Sequence, residues 1–390
     1  MKVLHIIKTA VGATWAYHQI RVLRSMGIDV EVALPSDTEG LAPRYREAGI
    51  KVVAVDLDFP ARRPWELPSV LRRCRQLVER VQPDLIHTHH VGTTLALRLA
   101  LGKDSPTPRL FQVAGPLHLE SPFFANLDMR TAGPRDHWIA TCQWTWRKYL
   151  SLGVEPERVS LSYAGIEVTP FGTARNGRLR AELGMASDTP LVGMVAYMYG
   201  PKWFLGQRRG LKGHEDFISA LNLARRELPQ IKGVIVGGAW DARWYEERLR
   251  RYGQTICNGS LAFLGTRADV PELYPDLDLA VVPSHSENCG GAVEPLLSGV
   301  PVVATDVGGL PDLIRDGKTG WLVPPRNPVA LAHSIVEVLR NKPEAKRRAS
   351  AGMSLALQLF DVQRTAHDVV DTYNGFFGAE ACERQSTATA

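Results

Sequence analysis

Residues 281–314 read VVPSHSENCGGAVEPLLSGVPVVATDVGGLPDLI. An apolar strand runs into a polar turn, and Gly290-Gly291 opens a short helix. A second apolar strand, Val302–Thr305, then ends in another glycine turn, Gly308-Gly309. Near-continuous apolar strands alternating with helices require a parallel sheet covered on both faces, because each strand buries both of its sides. In such sheets ligands bind beyond the carboxyl ends of the strands. Here that end carries two carboxylates, Glu287 in the turn and Glu294 on the helix, with the glycine pair between them.

The same alternation extends through the chain. Lys2–Ile7, Val30–Ala33, Val52–Val55, Leu85–Thr88 and Leu110–Val113 read as buried strands, with helical spacing over Ala16–Met26, Pro68–Val81 and Thr93–Leu101. The pattern restarts with strands at Leu191–Ala196, Gly233–Val236, Leu261–Leu264, Leu279–Val282, Val302–Thr305 and Gly320–Val323. Helices fall near Glu215–Glu227, Trp244–Arg251, Ala292–Leu297 and Val329–Leu339. A turn-rich segment, 164–190, reads as the linker. This divides the chain into a doubly wound α/β domain over 1–175, a second over 176–360, and a last helix over 361–376. Residues 377–390 read as a polar, disordered tail. A ligand cleft between the two domains is expected.

Composition sets outer bounds. The 390 residues carry 45% hydrophobic and 22% charged side chains and a net charge of +5, with a pI near 8.9. These values suit a globular protein with two cores and an anionic substrate, and they do not call for nucleic acid. The scattered cysteines, 5 in all, contain no CxxC pair, which suits reduced thiols. No stretch reads as a signal peptide or a membrane span, so the expected location is the cytoplasm.

Four stretches carry candidate chemistry. In TAVGATW (9–15), Gly12 lets the backbone approach an anion in the turn after the first strand; an ordinary βα turn reads the same way. In DLIHTHHVG (84–92), His87, His89 and His90 sit at a strand end. Polar-ligand binding and strand-end packing are both open there, while zinc partners at the usual spacing are missing. His118 lies in a similar loop. In YMYGPKWFLGQRRGLKGHEDF (197–217), Lys202, Arg208, Arg209 and Lys212 crowd a glycine-flanked loop ahead of a helix, the combination a diphosphate needs. The fourth is the opening stretch. Its two glutamates suit a glycosidase acid and base, or carboxylates that accept from vicinal hydroxyls, or simply acids near a helix N-terminus.

The stretch PSHSENCGGAVEPLLSGVPVVATDVGGLPDLIRDGKTGWLVPP resembles the signature of retaining glycosyltransferases of the GT-B fold, the glycogen-synthase-like family 4 or group 1. LKGHED (211–216), IVGG (235–238), FLGTRADVPELY (263–274) and PDLIHTH (83–89) support the resemblance over nearly the whole chain. It implies two Rossmann-like domains facing each other across a cleft, the last helix crossing back to the first, and a nucleotide sugar, most often a UDP-sugar, held by the second. Glu294 would hold the ribose hydroxyls and Glu287 the donor sugar. Lys212 and Arg209, or Arg208 in its place, would hold the diphosphate with backbone amides at Gly290, Gly291 and Gly12. His118 would stand beside the reacting sugar, and Gly237 and Arg267 near the nucleobase.

Two departures accompany the resemblance. The spacer Asn288–Val293 between the glutamates is one residue short, and the family's Gly-Arg dipeptide is replaced by Ala196-Tyr197, followed by the insertion GPKWFLGQRRG. The DxD pairs Asp56/Asp58 and Asp276/Asp278 read as structural, so no metal or other cofactor is expected and fixed cations take the metal's place. The acceptor would be a saccharide, a glycoside or a lipid-linked molecule. Trp144, Trp146 and Trp203 are candidates for lining its site, and the basic stretch Arg62–Arg80 for contact with acidic lipid. An epimerase or hydrolase acting on nucleotide sugars, and a non-catalytic sugar-binding protein, are the rival readings.

Overall fold

The computed structural model describes residues 1–202, 206–240 and 242–388, with side chains described up to residue 376. The chain divides into two units, Met1–Glu167 with Leu359–Ala390, and Val168–Gln358. In the first, β1 (Lys2–Ile6), β2 (Asp29–Leu34), β3 (Lys51–Ala54), β4 (Leu85–Thr88), β5 (Arg109–Gln112), β6 (Asp136–Ala140) and β7 (Val159–Leu161) form a 7-stranded sheet among the described residues. Its order is β3-β2-β1-β4-β5-β6-β7, and every neighbouring pair is parallel.

The second unit repeats the plan. Strands β8 (Leu191–Val195), β9 (Lys232–Val236), β10 (Leu261–Gly265), β11 (Leu279–Val282), β12 (Val302–Thr305) and β13 (Trp321–Val323) lie in the order β10-β9-β8-β11-β12-β13, again all parallel. Each sheet reverses its winding once, between β1 and β4 and between β8 and β11. That reversal opens a crevice at the strands' carboxyl ends, where this class of sheet binds ligands. The second core is built by Met194, Ile235, Leu279 and Val281 from the strands, with Phe217, Leu221, Leu331 and Ile335 from the helices His214–Ala224 and Pro328–Arg340.

Two strands escape a reading by apolar pattern. β6, DHWIA, carries Asp136 fully buried, because Arg98 and Arg109 neutralise it within the core. β7 has 3 residues, too few for a period to show.

The last helical run breaks at Asp361 into the helices Lys342–Phe360 and Val362–Ala388. At the break Ile166 donates to the Phe360 carbonyl at 2.8 Å and accepts from the Val362 amide at 3.2 Å, while Asp361 Oδ1 takes the Gln363 amide at 2.9 Å. The same bridge places residues up to Glu167 in the first unit, ahead of the expected boundary at 175. Gly165 fits there because a Cβ would sit 2.1 Å from Thr365 Oγ1. Beyond it, Val362, Ala366, Val369, Tyr373 and Phe376 pack into the core formed by Ile20, Val32 and Leu110. The helix is described as far as Ala388, while the side chains of residues 377–390, expected as a polar tail, lie outside the described residues.

Candidate functional site

At the reversal between β8 and β11, two loops are fastened together. The Leu211 carbonyl accepts from the His285 amide at 2.8 Å. Gly213, at φ +73, passes so close that a Cβ would lie 1.9 Å from the Pro283 carbonyl oxygen. Lys212, held between these two fastenings, forms an ion pair with Glu287. Glu287 is buried, and its carboxylate also accepts from Ser284 Oγ at 3.0 Å and from the Asn288 amide at 3.2 Å. The second glycine turn supports it from below, through Gly309 N to the Glu287 carbonyl at 3.2 Å. A cavity of about 170 Å³ opens here, lined by Tyr197, Tyr199, Lys212, Ser284, Glu287 and Gly291 among others.

The helix Gly290–Leu297 begins at the cavity wall. Its two glycines differ. A Cβ on Gly291 would stand 3.0 Å from Val282 Cγ1 and 3.5 Å from Glu287 Oε2, whereas one on Gly290 would meet nothing within 4 Å. Only the second is crowded; both stand in the first turn, whose amides can face an anion. One turn on, half-buried Glu294 accepts from the Tyr274 hydroxyl at 3.2 Å. Burial raises its carboxyl above the usual 4.5, against the opposing effect of that hydrogen bond.

The expected cations separate into two groups. Lys212 faces the cavity. Arg209, half exposed, is paired instead with Asp216, whose other oxygen contacts His285 Nε2 at 2.6 Å. Arg208 is exposed. Arg267 makes a bidentate pair with Asp269, both contacts 2.8 Å, and reaches Glu182 at 2.7 Å, a surface lock that keeps its charge engaged within the protein. Gly237 sits where β8 and β9 end. At φ +128, with a Cβ that would fall 2.0 Å from the Ala196 carbonyl oxygen, only glycine fits. Asp276 and Asp278 are structural. Asp276 takes the Gly177 and Leu179 amides at 2.7 and 2.8 Å, and Asp278 takes the Leu191 amide at 2.8 Å and Arg180 at 2.6 Å.

Gly12 and His118 belong to the first unit. Gly12 has φ +81 in the turn after β1. Buried His118 places Nε2 3.2 Å from the Tyr149 hydroxyl and 3.4 Å from Asp128 Oδ2. Asp128 also receives Tyr149 Oη at 2.8 Å and pairs with the fully buried Arg98. Burial alone would raise this carboxyl; Arg98 and His118 hold it at about 2. The imidazole is thus oriented by a buried, charged support.

His87 and His89 join a residue the sequence reading passes over, His5. All three are fully buried, and burial holds them neutral, His5 at about 3 and the other two well below the ordinary range. His5 Nδ1 lies 2.9 Å from His89 Nε2, and His87 Nδ1 lies 2.6 Å from the Tyr373 hydroxyl. Their ligand atoms fall within 4.8 Å of one another, close enough to suggest a metal. His87 stacks on His89 at 20° and 4.3 Å between ring centroids, while His5 and His89, at 13°, face each other edge to edge through the 2.9 Å contact. Of the tryptophans considered for the acceptor, Trp144 and Trp146 pack against the Trp138–Tyr149 core, and Trp203 lies outside the described residues.

Residues that only the structure brings to the site are Ser284, His285, Asp216 and Tyr274. His285 meets Asp216 and Tyr274 meets Glu294 across 69 and 20 positions, so spacing gives no signal for those contacts, whereas Ser284 is three residues from Glu287 and Asp216 seven from Arg209.

The second sheet thus gathers Lys212, Glu287 and the start of a glycine-led helix around one cavity at its winding reversal. Residues 12–169 match the model described as Glycosyltransferase Family 4, and residues 203–341 the one described as Glycosyl transferases group 1. The chain belongs to this family of glycosyltransferases, built on the GT-B fold. It is 28% identical, over 95% of its length and 85% of the relative's, to a D-inositol 3-phosphate glycosyltransferase of Acidothermus cellulolyticus. A protein of the same name from Mycobacterium sp. strain KMS is also 28% identical, over 68% of this chain and 56% of that protein, little more than half of its length. Among solved structures, Anabaena HepE in complex with UDP-glucose aligns with a TM-score of 0.80 at 22% identity, covering 96% of this chain and 99% of that one. Sucrose-phosphate synthase from Thermosynechococcus elongatus aligns at 0.78 and 19% identity, covering 97% and 100%. No helix among the described residues is long and apolar enough to cross a membrane.

Proposed function

We propose that the protein is a retaining, metal-independent glycosyltransferase of the cytoplasm that moves a hexose from a UDP-sugar to a hydroxyl of a saccharide, glycoside or lipid-linked acceptor. The observation that carries this reading is the Lys212–Glu287 pair lining the cavity at the β8–β11 reversal, beside the N-terminus of the helix Gly290–Leu297. Lys212 and the first-turn amides neutralise a diphosphate, and Glu287 and Glu294 accept from sugar and ribose hydroxyls. The UDP-glucose complex of Anabaena HepE supports the choice of donor. The names of the curated relatives suit a polar, hydroxyl-rich acceptor.

In the reaction the bond between the anomeric carbon and the β-phosphate oxygen breaks, and a bond to the acceptor oxygen forms on the same face. The acceptor's proton passes to the leaving phosphate. The protein's main task is then to stabilise charge on the departing UDP, which falls to Lys212 and the helix amides. Independence from a metal is supported by Asp276 and Asp278, whose carboxylates are taken up by backbone amides and arginines.

The test is UDP release from UDP-glucose with and without a panel of acceptors, in EDTA and in added magnesium. Release that depends on acceptor and is indifferent to EDTA is expected. Free glucose forming at the same rate without acceptor would point to a hydrolase. Interconversion of the nucleotide sugar alone would point to an epimerase.

A further inference from the structure

Beyond the ends of β8 and β9 the two chains stay paired. The Ala196 amide donates to the Val236 carbonyl at 2.9 Å, the Met198 amide to Gly238 at 2.9 Å, and the Trp240 amide to Met198 at 3.1 Å. This extension keeps the strand's alternation. Met198 points inward and is fully buried, while Tyr197 and Tyr199 on either side face the cavity. Trp240 joins them from β9's extension. Its ring lies 5.0 Å from that of Tyr197 at 66°, and 5.8 Å from that of Tyr199 at 38°.

Tyr197 and Trp240 are 37% and 38% exposed, two of the large apolar side chains left open among the described residues. Exposed rings held in place by backbone pairing, at the lip of a cavity, form a preorganised surface for a flat ligand face. The position selects the ligand. Inside the cavity Lys212 marks the anionic end, and the rings stand off it on the β9 side. In doubly wound sheets that bind nucleotides, the phosphates take the reversal point, and the nucleoside extends toward the strand on that side.

We propose that Trp240, with Tyr197 bracing it, is the stacking platform for the donor's nucleobase, so that this pair sets base affinity while Lys212 sets phosphate affinity. The proposal rests on the nucleotide-sugar reading above and adds to it residues that position the base. Arg267, expected near the base, pairs with Asp269 and Glu182.

The experiment titrates the full chain with UDP and, separately, with inorganic pyrophosphate, in the wild type, Trp240→Ala, Trp240→Phe and Tyr197→Ala. Stacking of one base on an aromatic ring corresponds to a loss of about 5- to 150-fold when the ring is removed. Trp240→Ala should weaken UDP by at least about fivefold while pyrophosphate binding changes by less than about twofold. Trp240→Phe should retain most UDP affinity yet lose the UDP-induced quenching of tryptophan fluorescence. Three results would overturn the platform: UDP binding unchanged in Trp240→Ala, equal losses for UDP and pyrophosphate, or a raised acceptor KM with UDP affinity intact. In each of these the wild type still binds UDP, and the nucleotide-sugar reading stands. A wild-type chain that binds no nucleoside diphosphate would overturn both.

Discussion

Lys212 and Glu287, 75 positions apart, form an ion pair on the wall of the second unit's cavity. In the free protein the ammonium that would meet a diphosphate is held by the carboxylate that would meet the sugar. Each holds the other in place on the cavity wall, the arrangement on which the proposed binding of a diphosphate and sugar hydroxyls rests.

Lys212→Ala should therefore lower kcat by about 100- to 1000-fold, as removal of a single charge-stabilising group at an anionic transition state does. The melting temperature should fall by several degrees while the fold is kept, since Glu287, 8% exposed, retains only Ser284 Oγ and the Asn288 amide as partners. Steady-state kinetics with saturating UDP-glucose and a thermal melt check both. Near wild-type turnover would remove Lys212 from the mechanism.

Glu294 gives a pH signature. Its carboxyl is raised in the folded state by burial, so between 4.5 and the raised value the folded protein holds more protons than the unfolded. Stability should fall as pH rises through that window. Glu294→Gln should flatten this slope, and should also weaken UDP by about tenfold through loss of a charged acceptor for ribose hydroxyls. Urea titrations in steps from pH 4 upward, with UDP binding at pH 7, read the two effects separately.

The buried support of His118 behaves oppositely. Asp128 is depressed from 3.8 to about 2, so its contribution is present above pH 3.8 and lost as pH falls through 2. Asp128→Asn should cost about 3–5 kcal/mol at pH 7, because Arg98 is left buried with one carboxylate fewer. The acid-induced loss below pH 4 should shrink accordingly. Denaturant midpoints at pH 7 and pH 3 measure both.

The glycines divide by what surrounds them. Gly237→Ala should destabilise by about 2 kcal/mol or more, since its Cβ would strike the Ala196 carbonyl at a φ that side chains avoid. Gly290→Ala, with open space around it, should leave stability unchanged or raise it by about 0.5–1 kcal/mol through helix propensity. Equal destabilisation of the two would contradict the packing described here.

The strand–helix alternation and the loop positions of Lys212, Glu287 and Glu294 were legible because apolar runs and glycine turns are local features. β6 was not, because Asp136 hides its pattern and needs Arg98 and Arg109 from other elements. Arg209 and Arg267 look equivalent to Lys212 in sequence. In the structure Lys212 lines the cavity with Glu287 as its partner, whereas Arg209 pairs with Asp216 and Arg267 with Asp269 and Glu182, a difference in surroundings that spacing does not show. The aromatic trio at the cavity lip likewise depends on backbone pairing that continues past the ends of two strands.

The helix that returns to the first unit has a consequence for the order of synthesis. The second unit is one continuous stretch, Val168–Gln358, and has all of its residues before Val369 and Tyr373 are made. The first unit waits with Ile20, Val32 and Leu110 uncovered until those residues arrive. On the ribosome the half encoded first should therefore be the half that finishes last, and any stop between 358 and 373 would leave a complete second unit joined to an open first one.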